Sequence, residues 1–257
     1  MAENHVTLTL ELPGDADDYV VSVRSRMPDD AVGRRGLRLF VSHASEDQEV
    51  AAQLVQSLEM FGVECFFSER SISSGTLWPA EIETQLNACD ALLYLSSAHS
   101  NDSTWCQQEA AWALGRGVPV LPLPLDRSEM HGALALRNQL PKPNLDSWVP
   151  ADKKLGSFRR AQRARARTVG EIFEGLMRLD ERVSEVIPGL VVNTLVRADK
   201  QHKVLCAKDM LKLMPSITDE QATDVLRACE DNETLAGLAN MGVVEELREL
   251  VEQKRAL

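Results

Sequence analysis

No stretch of this 257-residue chain is apolar enough to cross a membrane as a helix. The longest apolar run, Val118 to Leu125, is interrupted by Pro119, Pro122 and Pro124 and falls far short of the ~20 residues a span requires. The start, Met1-Ala2-Glu3-Asn4-His5, has neither the basic head nor the apolar middle of a signal peptide, so a cytoplasmic protein is expected. The five cysteines (Cys65, Cys89, Cys106, Cys206, Cys229) form no Cys-x-x-Cys pair and are read as free, mostly buried thiols. The five histidines are equally scattered, with no zinc spacing and no His-Glu-x-x-His helix, so no metal site is expected. Phosphate signatures are missing too: there is neither a Gly-rich P-loop nor Gly-x-Gly-x-x-Gly. A net charge of −11 argues against general binding to nucleic acid, itself a polyanion.

From Leu37 onward, strand and helix signals alternate. Leu37 to Val41 is a short apolar run ending in Ser42-His43-Ala44-Ser45, and Ser45 with Gln48 reads as a capping box. The helix that follows carries Val50, Leu54, Val55, Leu58 and Phe61 on one face and stops at Gly62. Val63 to Phe67 is a second strand, Ser68 to Trp78 a loop, and Pro79 opens a helix that buries Ile82, Leu86 and Cys89. Ala91 to Leu95 is the third strand. The polar stretch Ser96 to Thr104 offers N-caps for a helix ending near Gly115 or Gly117, and Val118 to Leu123 is the fourth strand. Such alternation predicts an α/β fold with a parallel sheet covered on both faces, whose ligands bind beyond the carboxyl ends of the strands.

Past Asp126 the pattern is irregular through Pro150. A helix is then expected from about Thr168 to Val183, with Pro188-Gly189 as a break and three or four further helices to the end, including a capping box at Thr218 and Gln221. Alternating Val6, Leu8, Leu10 and Leu12, then Tyr19, Val21 and Val23 around a turn at 13–18, predict an N-terminal β-hairpin. The expected division is an extension at 1–35, an α/β domain at 36–185 and an all-helical module at 186–257.

Within the α/β part, Trp105, Glu109 and Trp112 fall at i, i+4 and i+7, which places a carboxylate between two indoles on one helix face. Desolvation by aromatic walls is one way a protein tunes a carboxylate for binding or catalysis, although a long acidic side chain can also snorkel to water.

Three segments carry a more specific signal: Leu39 to Asp47, Phe66 to Trp78, and Ser103 to Glu109 followed by Gly117-Val118-Pro119-Val120. In order and spacing they resemble the Toll/interleukin-1 receptor (TIR) domain in its bacterial form. The resemblance implies a flavodoxin-like parallel sheet flanked by helices and, as in many bacterial and plant members, cleavage of NAD+ at the nicotinamide bond. The products would be nicotinamide and ADP-ribose or a cyclic isomer, with NAD+ as substrate and no cofactor. Glu109 stands where the family has its catalytic glutamate, and Trp105, one turn earlier, also matches. Ser42 and His43 lie where the family lines its nucleotide pocket, or else form a plain turn. Phe67 is adenine-facing or core, Trp105 pocket wall or core, and Ser103 is placed with the substrate-binding residues.

The loop containing Ser68, Glu69, Arg70, Gly75 and Trp78 corresponds to the family's mobile loop that helps assemble neighbouring subunits, which implies a homo-oligomer built through TIR surfaces. The sequence departs there, with Ser68 where members often carry an acid and Ser73 near a usual lysine. Defence against phage is the setting the resemblance implies; the helical module reads as an interaction or oligomerisation module open to a protein partner, or equally as a self-contained core. The competing reading is a non-catalytic TIR scaffold, or a sensor of an NAD-derived nucleotide. One basic run stands out in this acidic chain: Lys153, Lys154, Arg159, Arg160, Arg163, Arg165 and Arg167, with Arg159, Arg163 and Arg167 on one face and Arg167 able to pair with Glu171. It is either a partner or nucleic-acid patch or a solvated helix face.

Overall fold

The computed structural model describes residues 5–9, 20–24, 36–66, 80–151 and 155–255. Two short strands, β1 (His5–Thr9) and β2 (Val20–Arg24), pair antiparallel from His5↔Arg24 to Thr9↔Val20, which is the N-terminal hairpin; Leu10, Leu12, Tyr19 and the turn between them lie outside the described residues.

The main sheet holds β3 (Arg38–Ser42), β4 (Glu64–Phe66), β5 (Ala91–Ser96) and β6 (Val120–Pro124) in the order β4-β3-β5-β6, all parallel. Every residue of β5 is buried, because a central parallel strand has helices over both faces. The period of two then divides its side chains: Leu93 and Leu95 join one core cluster, Leu92 and Tyr94 the other.

On one side lie α2 (Ala80–Ala88) and α4 (Thr104–Gly115), with Ile82, Leu86, Cys106, Ala110 and Ala113 packed on Phe40, Leu92 and Tyr94. On the other lie α1 (Gln48–Glu59) and the 25-residue α6 (Leu155–Leu179). Phe61 meets Phe173 of α6 edge-on, ring centroids 5.7 Å apart. Gly62, at φ 76°, supplies the left-handed turn from α1 into β4 that a side chain would strain. Gly175 lets α6 lie close on the sheet, since a Cβ there would stand 2.9 Å from Leu140 Cδ2 and 3.0 Å from Leu121 Cδ2.

Several sequence expectations need correction. Ser45 and Gln48 do not form a capping box: Ser45–Asp47 is a 3-10 turn, Ser45 Oγ bonds Glu46, and α1 begins at Gln48 without a side-chain cap. The polar stretch after β5 is not a plain loop but holds α3 (Ala98–Asp102), capped reciprocally by Ser97 and Ser100. The helix expected from Thr168 starts at Leu155, since alanines and arginines favour helix well before the apolar stripe begins. Pro188-Gly189 breaks nothing. Asp180 caps the start of α7 (Glu181–Val196), and Pro188 lies inside it, buried, where its ring packs in the core although it forfeits one backbone hydrogen bond.

The remaining helices are α5 (Gly132–Ala135), α8 (Gln201–Leu213), α9 (Asp219–Asp231, with the expected Thr218/Gln221 capping box), α10 (Glu233–Ala236) and α11 (Val243–Arg255). The apolar faces of α8 to α11 continue the α1/α6 core without interruption as far as Val251, whereas Leu134 of α5 packs in the opposite cluster with Tyr94. No described helix is long and apolar enough to cross a membrane.

Candidate functional site

The carboxyl ends of β3, β5 and β6 are held together by polar side chains. Ser97 Oγ, just past β5, donates to Asp47 Oδ2 beyond β3 at 2.5 Å, and Asp126, past β6, accepts from the amide of Ala98 at 2.9 Å and from that of Ser128 at 2.8 Å. Burial pushes the Asp126 carboxyl up, but hydrogen bonds from the Ser128 side chain and from the Ala98 and Ser128 amides outweigh it and hold the group below its ordinary value. This lacing fixes the edge on which a ligand of a parallel sheet would sit.

Glu109 reaches that edge from α4. Cys106, Glu109, Ala110 and Ala113 form the buried stripe of the helix, so the carboxylate stands within the packed face rather than beside it, 1% exposed. Ser42 ends β3 on the same side as Phe40, and its register partner is Tyr94. From there Ser42 Oγ donates to Glu109 Oε2 at 2.6 Å, a short bond between two groups 67 residues apart. A buried carboxylate is unfavourable unless it is hydrogen-bonded, and this bond is part of what holds it.

Tyr94 lies next to the pair, fully buried. Its hydroxyl donates to Ser100 O at 3.0 Å, and its pKa is raised to about 12, foremost by burial, with the Ser100 bond opposing and Cys106 and Glu109 adding to the rise. Sequence reading passed over Tyr94, although its place in the third strand, two residues from Leu92 on the α4 face, was a sufficient signal. Ser96 follows on that face, and its buried Oγ has no hydrogen-bond partner among the described residues.

The other expected residues fall into place unevenly. His43 is buried, with Nδ1–H donating to Val41 O at 3.1 Å. Ser103 closes α3 and caps α4, accepting from the Cys106 amide at 3.4 Å. Trp105 and Trp112 are half-buried one turn to either side of Glu109. Phe67, Ser68, Glu69, Arg70, Gly75 and Trp78 lie outside the described residues.

A cavity of about 500 Å³ opens along α4 between Tyr94, Gln107, Ala110, Leu114, His131 and Leu134, but neither Glu109 nor Ser42 lines it. Among the described residues no three His, Cys, Asp or Glu side chains gather as metal ligands. The described cysteines are free, and burial, aided by Glu59, pushes the Cys65 thiol up to about 12, which leaves it a poor nucleophile at neutral pH.

Residues 39–161 match the model of the TIR domain family. No curated protein matches the chain. Among solved structures it is similar to the TIR domains in the structure of the activated Roq1 resistosome directly recognizing the pathogen effector XopQ. Identity there is 16% and the TM-score 0.32, over 69% of this chain and 98% of that one, a likeness too slight to carry an argument.

Proposed function

We propose that the protein is an NAD+ nucleosidase whose carboxylate is Glu109. The observation that carries this reading is the Ser42–Glu109 pair, a buried charge at the ligand edge of a TIR sheet. A charge this deep adds little to stability compared with an apolar side chain of the same volume, and such positions concentrate at sites where charge is used.

The chemistry needs only one carboxylate. Nicotinamide in NAD+ is a pyridinium, so it departs neutral, taking the C1′–N electron pair with no proton required. The ribose left behind is cationic in the transition state, and a fixed carboxylate stabilises that charge more than it stabilises the ground state. Water then adds to C1′ and loses its proton to solvent, giving ADP-ribose; attack by an adenine nitrogen of the same molecule gives a cyclic product. A glycosidase acting on a neutral leaving oxygen would need a second carboxyl as acid. In the closed site Ser42 donates to Oε2; in the complex, ribose hydroxyls take over as donors, so the site opens for substrate to enter.

That closure also favours a second reading. With Glu109 only 1% exposed among the described residues, that carboxylate is out of reach of solvent, as it could be in a scaffold or nucleotide sensor. On our reading the same fact means that activity depends on association through the loop at 68–78 and on the helices at 186–257 acting as an interaction module, in a defence setting. Incubating the purified protein with NAD+ over a range of protein concentrations and separating the products by chromatography tests this. Nicotinamide release that rises more than in proportion to protein supports it; no release at any concentration leaves the scaffold.

A further inference from the structure

The arginines of α6 are only partly neutralised where they stand: Arg178 lies 3.6 Å from Glu174, one turn away, but the basic run before Gly170 has few acids beside it. From Lys153 to Gly170 the chain has seven basic residues and no acid. Arg165 turns inward, Nη1 donating to Trp148 O at 2.7 Å, and Arg167 lies 3.4 Å from Glu171. Arg159, Arg160 and Arg163 are exposed and form no ion pair among the described residues. Arg159 and Arg163 are one turn apart on the face toward α8, where Arg159, Lys200 and Lys203 all act on His202. Between Arg163 and Arg167 on one helix and Asp209, Met210 and Leu213 on the other is a cleft of about 330 Å³, floored by Ala166 and Cys206, with Asp209 itself 3.8 Å from Lys212. Phe158, 48% exposed, adjoins the stripe.

The opposite end of the helical region carries the matching charge. Residues 215–257 contain ten acids against four bases. On α11, Glu245, Glu249 and Glu252 recur at i, i+4 and i+7, exposed and without an ion pair among the described residues; Arg248 flanks them but lies 3.8 Å from Glu230, and Met241, 66% exposed, stands one turn before them. At 1.5 Å per residue the glutamates span about 10 Å, which matches the reach from Arg159 to Arg167.

The geometry points to a head-to-tail contact between copies of this chain, in which the Glu245/Glu249/Glu252 face of α11 docks antiparallel on the Arg159/Arg163/Arg167 face of α6 of the next copy. Antiparallel docking brings Met241, an unbranched side chain suited to irregular gaps, to the Arg163–Leu213 cleft, and runs the glutamates from there toward Arg159 and Lys203. The two faces are different surfaces, so the contact is heterologous: each copy keeps one face of each kind open, and the assembly grows as a chain or closes as a ring. A protein of net charge −11 repels its own kind at long range, which makes such a local opposite-sign match the place where copies can meet. The inference extends the subunit association of the proposed function but does not depend on NAD+ cleavage.

The test is association of the full chain by sedimentation, with no substrate present. Three proteins are compared: the parent, the double variant Arg159→Glu/Arg163→Glu, and the triple variant Glu245→Arg/Glu249→Arg/Glu252→Arg. The parent should associate, and the association should weaken about tenfold or more as salt shortens the Debye length from about 10 Å at 0.1 M to about 3 Å at 1 M. Each variant alone should remain monomeric, since like charges then face each other, while an equimolar mixture of the two should associate again, because each restores the other's match. A parent that is monomeric throughout overturns the contact. So does parental association by either variant, which would leave assembly to TIR surfaces, and so does a mixture that stays monomeric. A monomeric parent that binds a short nucleic-acid duplex, with loss of binding in Arg159→Glu/Arg163→Glu, would instead assign the stripe to nucleic acid and overturn it as well.

Discussion

The carboxyl edge of the sheet and the helical half from α7 to α11 bury different kinds of side chain. At the edge, Ser42, His43, Ser96, Ser97, Ser100 and Glu109 are all buried, while from α7 onward Lys208, paired with Glu246, is the one buried polar or charged residue among those described. The helical half is therefore built for packing: its apolar faces continue the α1/α6 core, and apart from Lys208 its described charges remain outside. The edge gives up apolar burial for hydroxyls and a carboxylate that must be satisfied one by one. Each such group is tolerated there only where a hydrogen bond replaces the water it gives up.

The largest expected effect falls on the boundary between the two regions. Phe173 of α6 is fully buried against Phe61, so Phe173→Ala should cost about 3 to 5 kcal/mol and lower Tm by roughly 10 °C. Because one core serves both regions, calorimetry should show a single transition that moves as a whole. Two transitions, only one of them shifted, would show that the regions fold separately. Next, Ser42→Ala removes the donor to Glu109 Oε2 and weakens the satisfaction of a buried carboxylate, which should cost about 1 to 3 kcal/mol in chemical denaturation. The same hydroxyl deletion in the helical half, at Thr194, whose Oγ1 bonds Leu190 O within its own helix, should cost less. Equal losses would remove the contrast between the regions.

Trp105 sharpens the comparison within the site. If it walls the pocket, Trp105→Ala should lower kcat/KM about tenfold and shift any cyclic product toward ADP-ribose, as water gains access. If it is core, the variant should lose stability and keep its product ratio. Product chromatography and a melting curve on one preparation separate the outcomes.

The smallest effect is at Asp126, which ties β6 to α3. Its folded pKa lies below the ordinary value of 3.8, so the stability it contributes is fully present above that value and fades as pH falls through the lower folded pKa. Asp126→Asn should accordingly melt slightly below the parent at pH 7, by less than about 1 kcal/mol given solvent screening, with the gap narrowing below pH 4. A gap that widens on acidification would reverse the assigned sign.

Much of the edge was legible in the sequence because strands and turns announce themselves locally. The apolar runs around Leu39, Leu93 and Leu121 gave a parallel sheet, and the Ser103 to Glu109 motif pointed to the carboxylate. Its partner was less visible. Ser42 was noted as a strand-end residue, but its bond to Glu109 joins positions 67 apart and depends on which face of β3 the hydroxyl takes. In the helical half the failures were of punctuation. Pro188 looks like a stop, yet a proline's missing bond is tolerated in a helix whose buried face rewards continuation, whereas Asp180, an ordinary acid in the sequence, caps the start of α7 by accepting from the Arg182 and Val183 amides. The α3 turn was missed because serines favour caps and loops alike.

The central claim is that the charge of Glu109, and not its bulk, does the chemistry. NAD+ consumption by Glu109→Gln measured beside the parent at the same protein concentration tests it most directly, because glutamine keeps the volume and can still accept from Ser42. The account predicts a loss of about 10²-fold or more in turnover, with Tm within a few degrees of the parent and the same state of association. Turnover at the parent rate by a folded, equally associated Glu109→Gln protein would contradict it.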